Sequence, residues 1–221
     1  PEINPEDIAK HKGIIANPNC STIIMLVPLF PIHNVAKIKR IIAATYQAAS
    51  GAGAKAMEEL KVQAQDFLTG RPVQKKVLPH QIAFNVFSHN SKIGPDGYCE
   101  EETKMVKETK KIFHDGEIRV TATCVRVPVL RAHSEALFFE TEKKISVDEM
   151  RQLLSKAPGI KVIDDREKNY FPMPLEATGQ DDILVGRLRE VPTATNGLTM
   201  FVCGDQIRKG AALNAIQIAE L

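Results

Sequence analysis

The stretch VAKIKRIIAATYQAASGAGAKA, residues 35–56, decides the fold class. Val35–Gln47 is β-branched and partly alternating, which predicts a strand, and the small residues 48–53 then lead into a helix predicted over Ala54–Phe67. Inside it, Gly51-Ala52-Gly53-Ala54-Lys55-Ala56 satisfies G-x-G-x-x-A after a strand and at a helix start, as a dinucleotide fingerprint should. The downstream residues argue against that reading. The next extended piece opens with Arg71-Pro72, and no acidic residue closes a convincing second strand, so the parallel β-α-β unit is not completed. The segment reads instead as a glycine loop that touches part of a ligand.

Outward from it, short β-rich and amphipathic runs alternate without fixed-period repeats or low-complexity tracts, which predicts one α+β domain. Upstream, Lys12–Asn17 predicts a short strand, and Asn17-Pro18-Asn19 a turn before a helix opening at Cys20-Ser21-Thr22. Downstream, Arg71–Ser88 is irregular and extended, and Gly94-Pro95-Asp96-Gly97 is a turn before a mostly solvent-facing helix, Glu100–Phe113. Strands come next over Glu117–Val129 and Arg131–Lys144, joined near Pro128, which suits an edge or a bulge. Ser146-Val147-Asp148-Glu149 is a capping box for a helix to Lys156, Ile183–Val191 and Leu198–Cys203 are further strands, and Lys209–Leu221 is a closing amphipathic helix. The sum is a mixed or largely antiparallel sheet covered by helices.

Composition bounds the function. Of 221 residues, 43% are hydrophobic and 25% charged, and 29 basic side chains balance 27 acidic ones, so nothing draws the chain to nucleic acid or an acidic membrane. The most apolar run, Ile23–Ile32, carries two prolines and falls far short of the roughly 20 residues that span a bilayer. Cysteines at 20, 99, 124 and 203 form no C-x-x-C pair, which predicts free thiols in a reducing compartment and no metal site. The opening residues resemble no signal peptide and include no initiator methionine, so an earlier segment is expected.

Cys20 is the first candidate for chemistry, because a helix N-terminus favours a thiolate; packing as a small apolar group is the alternative. Cys99, Cys124 and Cys203 have no comparable setting. A thiol nucleophile needs an acid/base partner, and His11, His33, His80, His89, His114 and His133 are all open to that role. His133 differs in lying among Arg126, Arg131 and Ser134. Glu101 and Lys104, spaced i,i+3, share a helix face, within a run of acids and lysines that otherwise reads as dipole-matched surface.

Five motifs in order, N-P-N-C-S-T at 17–22, T-Y-Q-A-A-S-G-A-G at 45–53, F-N-V-F-S-H-N at 84–90, C-V-R-V-P-V-L-R-A-H-S at 124–134 and G-D-Q-I-R-K-G-A-A-L-N at 204–214, resemble the aspartate-β-semialdehyde dehydrogenase family along nearly the whole chain. The resemblance implies a fold like the C-terminal domain of glyceraldehyde-3-phosphate dehydrogenase, with the helices on one sheet face and the other, free face forming a homodimer. It also implies NADPH-dependent reduction of L-aspartyl-4-phosphate to L-aspartate-4-semialdehyde and phosphate, toward lysine (through diaminopimelate), threonine and methionine. By resemblance, Cys20 is the nucleophile that forms an acyl-thioester, Gln47 orients the substrate, and His133 is the acid/base. Arg126 holds the α-carboxylate, Glu101 the ammonium and Lys104 the phosphate, while Ser50, Gly51 and Gln206 contact the nicotinamide end of NADP.

The family's amino-terminal nucleotide domain has no counterpart in this chain. Residues 1–19 are then the end of that domain, 20–203 the catalytic and dimerisation domain, and 204–221 a segment packing back on the missing part. This would leave Ala211, Leu213, Ile216 and Ile218 uncovered and turnover by the isolated chain weak or absent. A non-catalytic dimerising or substrate-binding fragment and a nucleotide-independent cysteine-histidine hydrolase are the alternatives. The expected compartment is the bacterial cytoplasm or the plastid stroma.

Overall fold

Asn19 starts the central element of the fold. Its side chain accepts the Thr22 N–H at 3.1 Å, capping helix α1, Cys20–Ala36, as expected for an Asn N-cap. Apolar side chains occupy all sides of this helix, and Ile24, Met25, Leu26, Leu29 and Ile32 have no exposed surface, so its first three turns are buried from every direction while Asn34 and Val35 at its end are exposed. The computed structural model describes residues 1–221.

A seven-stranded sheet lies beneath α1 in the order β2-β3-β1-β4-β7-β6-β5. The strands are β1 (Ile38–Gln47), β2 (Phe87–Ser88), β3 (Arg119–Arg126), β4 (His133–Thr141), β5 (Ile160–Val162), β6 (Ile183–Glu190) and β7 (Gly197–Gly204). Only β1–β3 and β5–β6 run parallel; the other four pairings are antiparallel, which makes the sheet mixed and largely antiparallel as expected. The flanking helices are α2 (Ala54–Leu68), α3 (Glu100–Ile112), α4 (Val147–Lys156), α5 (Pro174–Ala177) and α6 (Leu213–Ala219). Alternation along β1 sends Ile41 and Ala43 into the main core with α1, while Ile42 and Tyr46 stay 42% and 41% exposed on the other face.

Register brings the chemistry-bearing residues to one end of this sheet. Gln47 at the end of β1 is level with Arg126 at the end of β3, and His133 at the start of β4 faces Gly204 at the end of β7. The amino end of α1 arrives at the same end.

Several sequence expectations are corrected. Lys12–Asn17 forms no strand, because no sheet edge lies beside it; a 3₁₀ turn, Pro5–Lys10, precedes it instead. Strand β1 starts at Ile38, after Lys37 ends α1 with φ 48°. Strands β3 and β4 are not neighbours, since β1 lies between them, and Pro128 falls in their connection. The closing helix is a π-helical turn, Arg208–Ala212, followed by α6. Cys99 does stand at a helix start, as the N-cap of α3.

The chain ends are tied together. Lys209, 1% exposed, donates to both Glu2 carboxylate oxygens at 2.6 and 2.8 Å, to Asn214 Oδ1 at 3.1 Å and to Gln217 Oε1 at 2.7 Å. The expected bare face of the last helix is partly covered: Ala211, Leu213 and Ile218 are half-buried, and Ile216 is 56% exposed. A cleft of about 710 Å³ opens here, lined by Ile14, Ile15, Ile23, Leu26 and Ile218 among others.

Candidate active site

Two clusters meet where the strands end. In the first, the α1 N-cap and the β1 end share one carboxylate. Glu101, on the buried side of α3, accepts from Asn19 Nδ2 and Gln47 Nε2, both at 2.9 Å and both at Oε1. Gln47 Nε2 also donates to Ser21 Oγ at 3.1 Å, and Gln47 Oε1 accepts from Thr45 Oγ1 at 3.3 Å. Cys20 is half-buried in the first turn of α1. The helix start does not make it acidic: burial first, then the Glu101 charge, push its thiol up to about 12 against the smaller opposing effect of Ser21.

In the second cluster, the loop after β1 folds over the entrance to β4. Ala49 and Ser50 donate their N–H groups to Val129 and Leu130 carbonyls at 2.8 and 3.0 Å. That holds the loop against the β3–β4 connection. His133 is fully buried, and its Nδ1 accepts the Ala48 N–H at 3.0 Å. The proton of the neutral ring therefore sits on Nε2, which has no partner. Burial, then the Arg126 charge and His89, depress this imidazole to about 3. Arg126 donates to the Ala48 carbonyl at 3.1 Å through Nη1 and pairs with His89 Nε2 at 2.8 Å through Nη2. Because a guanidinium only donates, His89 Nε2 is the acceptor.

Gly51 lies over both groups. A Cβ built there would come within 2.9 Å of His133 Cε1 and Nε2 and 3.0 Å of Arg126 Nη1. Gln206 closes the remaining side: its Oε1 accepts the Ala132 N–H at 2.9 Å, and its Nε2 donates to Ser50 Oγ. Gly210 joins the two clusters, since a Cβ there would meet Cys20 Cβ at 3.1 Å and Gln206 Cβ at 3.2 Å. Lys104 stands exposed on the rim, near enough for its charge to act on His89. All nine residues named from the sequence thus gather at this end of the sheet, with Lys104 on the outside.

Four contributors lie outside those nine, among them His89, which the sequence offered only as one of six candidate acid/base histidines. His89 and Asn90 lie within the F-N-V-F-S-H-N motif and reach Arg126, Asn90 Oδ1 at 3.4 Å. Asp205 anchors Gln206. Its carboxylate accepts N–H groups from Gly179 at 2.7 Å and Ile207 at 3.0 Å and pairs with Arg131 at 2.8 Å, and together these outweigh burial and hold it below the usual carboxylate range. Glu135 is fully buried, and its position in H-S-E-A-L-F-F gives it the parity of His133, Leu137 and Phe139, a signal that it points inward.

The family described as semialdehyde dehydrogenase, dimerisation domain, matches residues 29–209. Aspartate-semialdehyde dehydrogenases of Synechocystis and Prochlorococcus marinus are 60% and 54% identical over 221 residues, covering all of this chain and 65% and 64% of those proteins. The chain therefore spans a little under two thirds of the length of these curated relatives. The crystal structure of aspartate semialdehyde dehydrogenase II of Vibrio cholerae complexed with ASA matches at TM-score 0.96 and 44% identity, over 100% of this chain and 66% of that one. An aspartate semialdehyde dehydrogenase of Candida albicans, solved with NADP, matches at TM-score 0.73 and 24% identity, a likeness of fold.

Proposed function

Because the chain belongs to the semialdehyde dehydrogenase family through its dimerisation domain, we propose that it is the catalytic and dimerising part of an aspartate-semialdehyde dehydrogenase. The observation that carries this reading is the convergence of a helix-start thiol, a guanidinium, a buried imidazole and a carboxylate at one end of the sheet. In this reading Cys20 sulfur attacks the carbonyl carbon of L-aspartyl-4-phosphate, the carbon–oxygen bond to phosphate breaks, and a thioester remains on Cys20. Arg126, fixed by Ala48 and His89, turns its fork toward the α-carboxylate, and Glu101 receives the ammonium. Lys104 on the rim meets the departing phosphate. As the carbon–oxygen bond breaks, the phosphate gains a third negative charge, takes up the proton that the high thiol pKa keeps on sulfur and departs as the dianion.

The residues around Gly51 fit a cofactor's flat end: the glycine leaves the space a side chain would fill in front of His133, and Ser50 and Gln206 offer polar groups at its border. NADPH, when bound there, supplies the hydride that converts thioester to aldehyde. His133 donates an Nε2–H hydrogen bond to the oxygen that becomes negative in that step, as a neutral donor rather than an imidazolium, and the proton stays on the ring. Gln47 orients the substrate beside Cys20.

The homodimer is proposed through the uncovered sheet face, where Ile42, Tyr46, Phe138 and Phe201 are accessible. Residues 1–19, 20–203 and 204–221 are then the end of a nucleotide domain, the catalytic domain and the returning segment, and the compartment is the bacterial cytoplasm or plastid stroma. No helix is long and apolar enough to cross a membrane.

A non-catalytic dimerising fragment is the second reading, favoured by the Cys20 thiol at about 12. One experiment separates the two. Incubating the chain with an acyl phosphate should release phosphate and add the acyl mass to the Cys20 peptide, and Cys20→Ser should abolish both. Acylation spread evenly over all four cysteines, or absent, overturns the catalytic reading. NADPH turnover by the chain alone is expected to be negligible.

A further inference from the structure

His89 and Ser91 lie between the guanidinium and the carboxylate that would grip an α-amino acid. The backbone places them there. His89 donates its N–H to the Cys124 carbonyl at 2.9 Å, which fastens the residue after β2 to β3, and Glu100 donates to the Lys92 carbonyl at 3.0 Å, which folds the segment back onto the start of α3. A path of hydrogen bonds results. Arg126 Nη2 meets His89 Nε2 at 2.8 Å, His89 Nδ1 meets Ser91 Oγ at 3.0 Å, and Ser91 Oγ accepts the Glu101 N–H at 3.3 Å. That N–H lies in the first turn of α3, where no helical carbonyl is available to it.

Two donors compete to fix the ring. The Ser91 N–H also approaches Nδ1, at 3.2 Å, but a neutral imidazole carries one hydrogen and accepts at one nitrogen only. The Arg126 contact is shorter and charge-assisted, so Nε2 is the acceptor and the hydrogen sits on Nδ1, donated to Ser91 Oγ. His133, with its hydrogen on Nε2, is the opposite tautomer. Arg126 itself is 3% exposed, with Nη1 on the Ala48 carbonyl and Nη2 on His89, and its buried Nε has no partner in the protein. Both arms of the fork are therefore pinned, and an N–H is left for a ligand.

We propose that His89 is a positioning residue for substrate selection: as an Nδ1–H imidazole it holds the Arg126 fork and, through Ser91, ties that fork to the helix turn carrying Glu101. The two grips then keep one spacing, which suits a carboxylate and an ammonium on the same carbon. The proposal rests on the reading of this site as one for an aspartyl group. It concerns binding, so it stands or falls separately from acylation of Cys20.

Two measurements on the 221-residue chain test it. Long-range proton–nitrogen NMR correlations of the histidine rings, with His89→Gln assigning the signals, should show His89 at neutral pH with its hydrogen on Nδ1 and an acceptor nitrogen at Nε2. L-Aspartate and 3-aminopropanoate, which is aspartate without its α-carboxylate, are then titrated into the parent and the variants. The parent should bind L-aspartate more tightly. His89→Leu should weaken L-aspartate about tenfold and leave 3-aminopropanoate unchanged, while His89→Gln, whose side-chain oxygen can accept from Arg126, should keep most of the affinity. An Nε2–H or charged His89 ring overturns the proposal, as does a parent that treats the two ligands alike or a His89→Leu change that weakens both equally or neither. If His89→Leu does not fold, Ser91→Ala, which removes only the hydroxyl between His89 and Glu101, takes its place, and an unchanged ratio of the two affinities overturns the proposal. Absence of Cys20 acylation alongside the expected binding results would count against the proposed function and not against His89.

Discussion

The two faces of the sheet are made from alternate residues of the same strands yet meet different surroundings. On β4, Leu137 and Phe139 are fully buried under α1, whereas Phe138 between them is half-buried on the bare face, with the Arg40 guanidinium 5.5 Å from its ring centre. On β1 the same alternation separates Ile41 from Ile42. Burial of each inner residue stabilises the monomer, and the outer ones are available to a second copy. Stability and association are therefore separable along one strand.

The contrast breaks most readily at the inner face. Leu137→Ala should cost about 2–5 kcal/mol in denaturant unfolding, since the cavity cannot collapse under a helix packed on all sides, whereas Phe138→Ala should cost about 1 kcal/mol. Equal losses would mean that the monomer has two cores. The pH dependence comes next. The folded His133 titrates near 3 and the unfolded one near 6.5, so the unfolded chain binds more protons between these values, and stability falls as pH drops from 6.5 toward 3. Replacing His133 by Gln should flatten that acid limb by up to a few kcal/mol, read from unfolding midpoints between pH 4 and 7. Smallest in stability is Tyr46→Lys on the bare face, expected within about 1 kcal/mol of the parent. Its effect belongs in sedimentation velocity, where a dimeric parent should become monomeric.

Local chemistry was legible in the sequence and long-range pairing was not. The Asn19 cap, the Ser146 capping box and the alternation of Val35–Gln47 each declare an element through neighbours a few residues away. The parallel pairing of β1 with β3, and the placement of β1 between β3 and β4, depend on contacts that no local pattern encodes. Lys12–Asn17 has the composition of a strand but lacks a partner edge. The family resemblance gathered the site residues because it carried the result of folding with it. It did not carry the acidity of Cys20, which depends on how many carboxyl groups surround the thiol and how dry the space is. A helix start favours the thiolate, and burial and the Glu101 charge act in the opposite sense.

The contact of Gly210 with Cys20 has a consequence for synthesis. Asn17 reaches the Ala211 carbonyl at 3.4 Å across 194 residues of sequence, and Gly210 closes on Cys20 beside it. On the ribosome Cys20 emerges well before the turn that packs against it, with nearly all of this chain in between. Throughout that interval the thiol waits without its final neighbour. A stalled or truncated chain lacking the closing turn can form much of the sheet yet leaves the Cys20 sulfur uncovered, so oxidation or alkylation at Cys20 would report how far translation had proceeded.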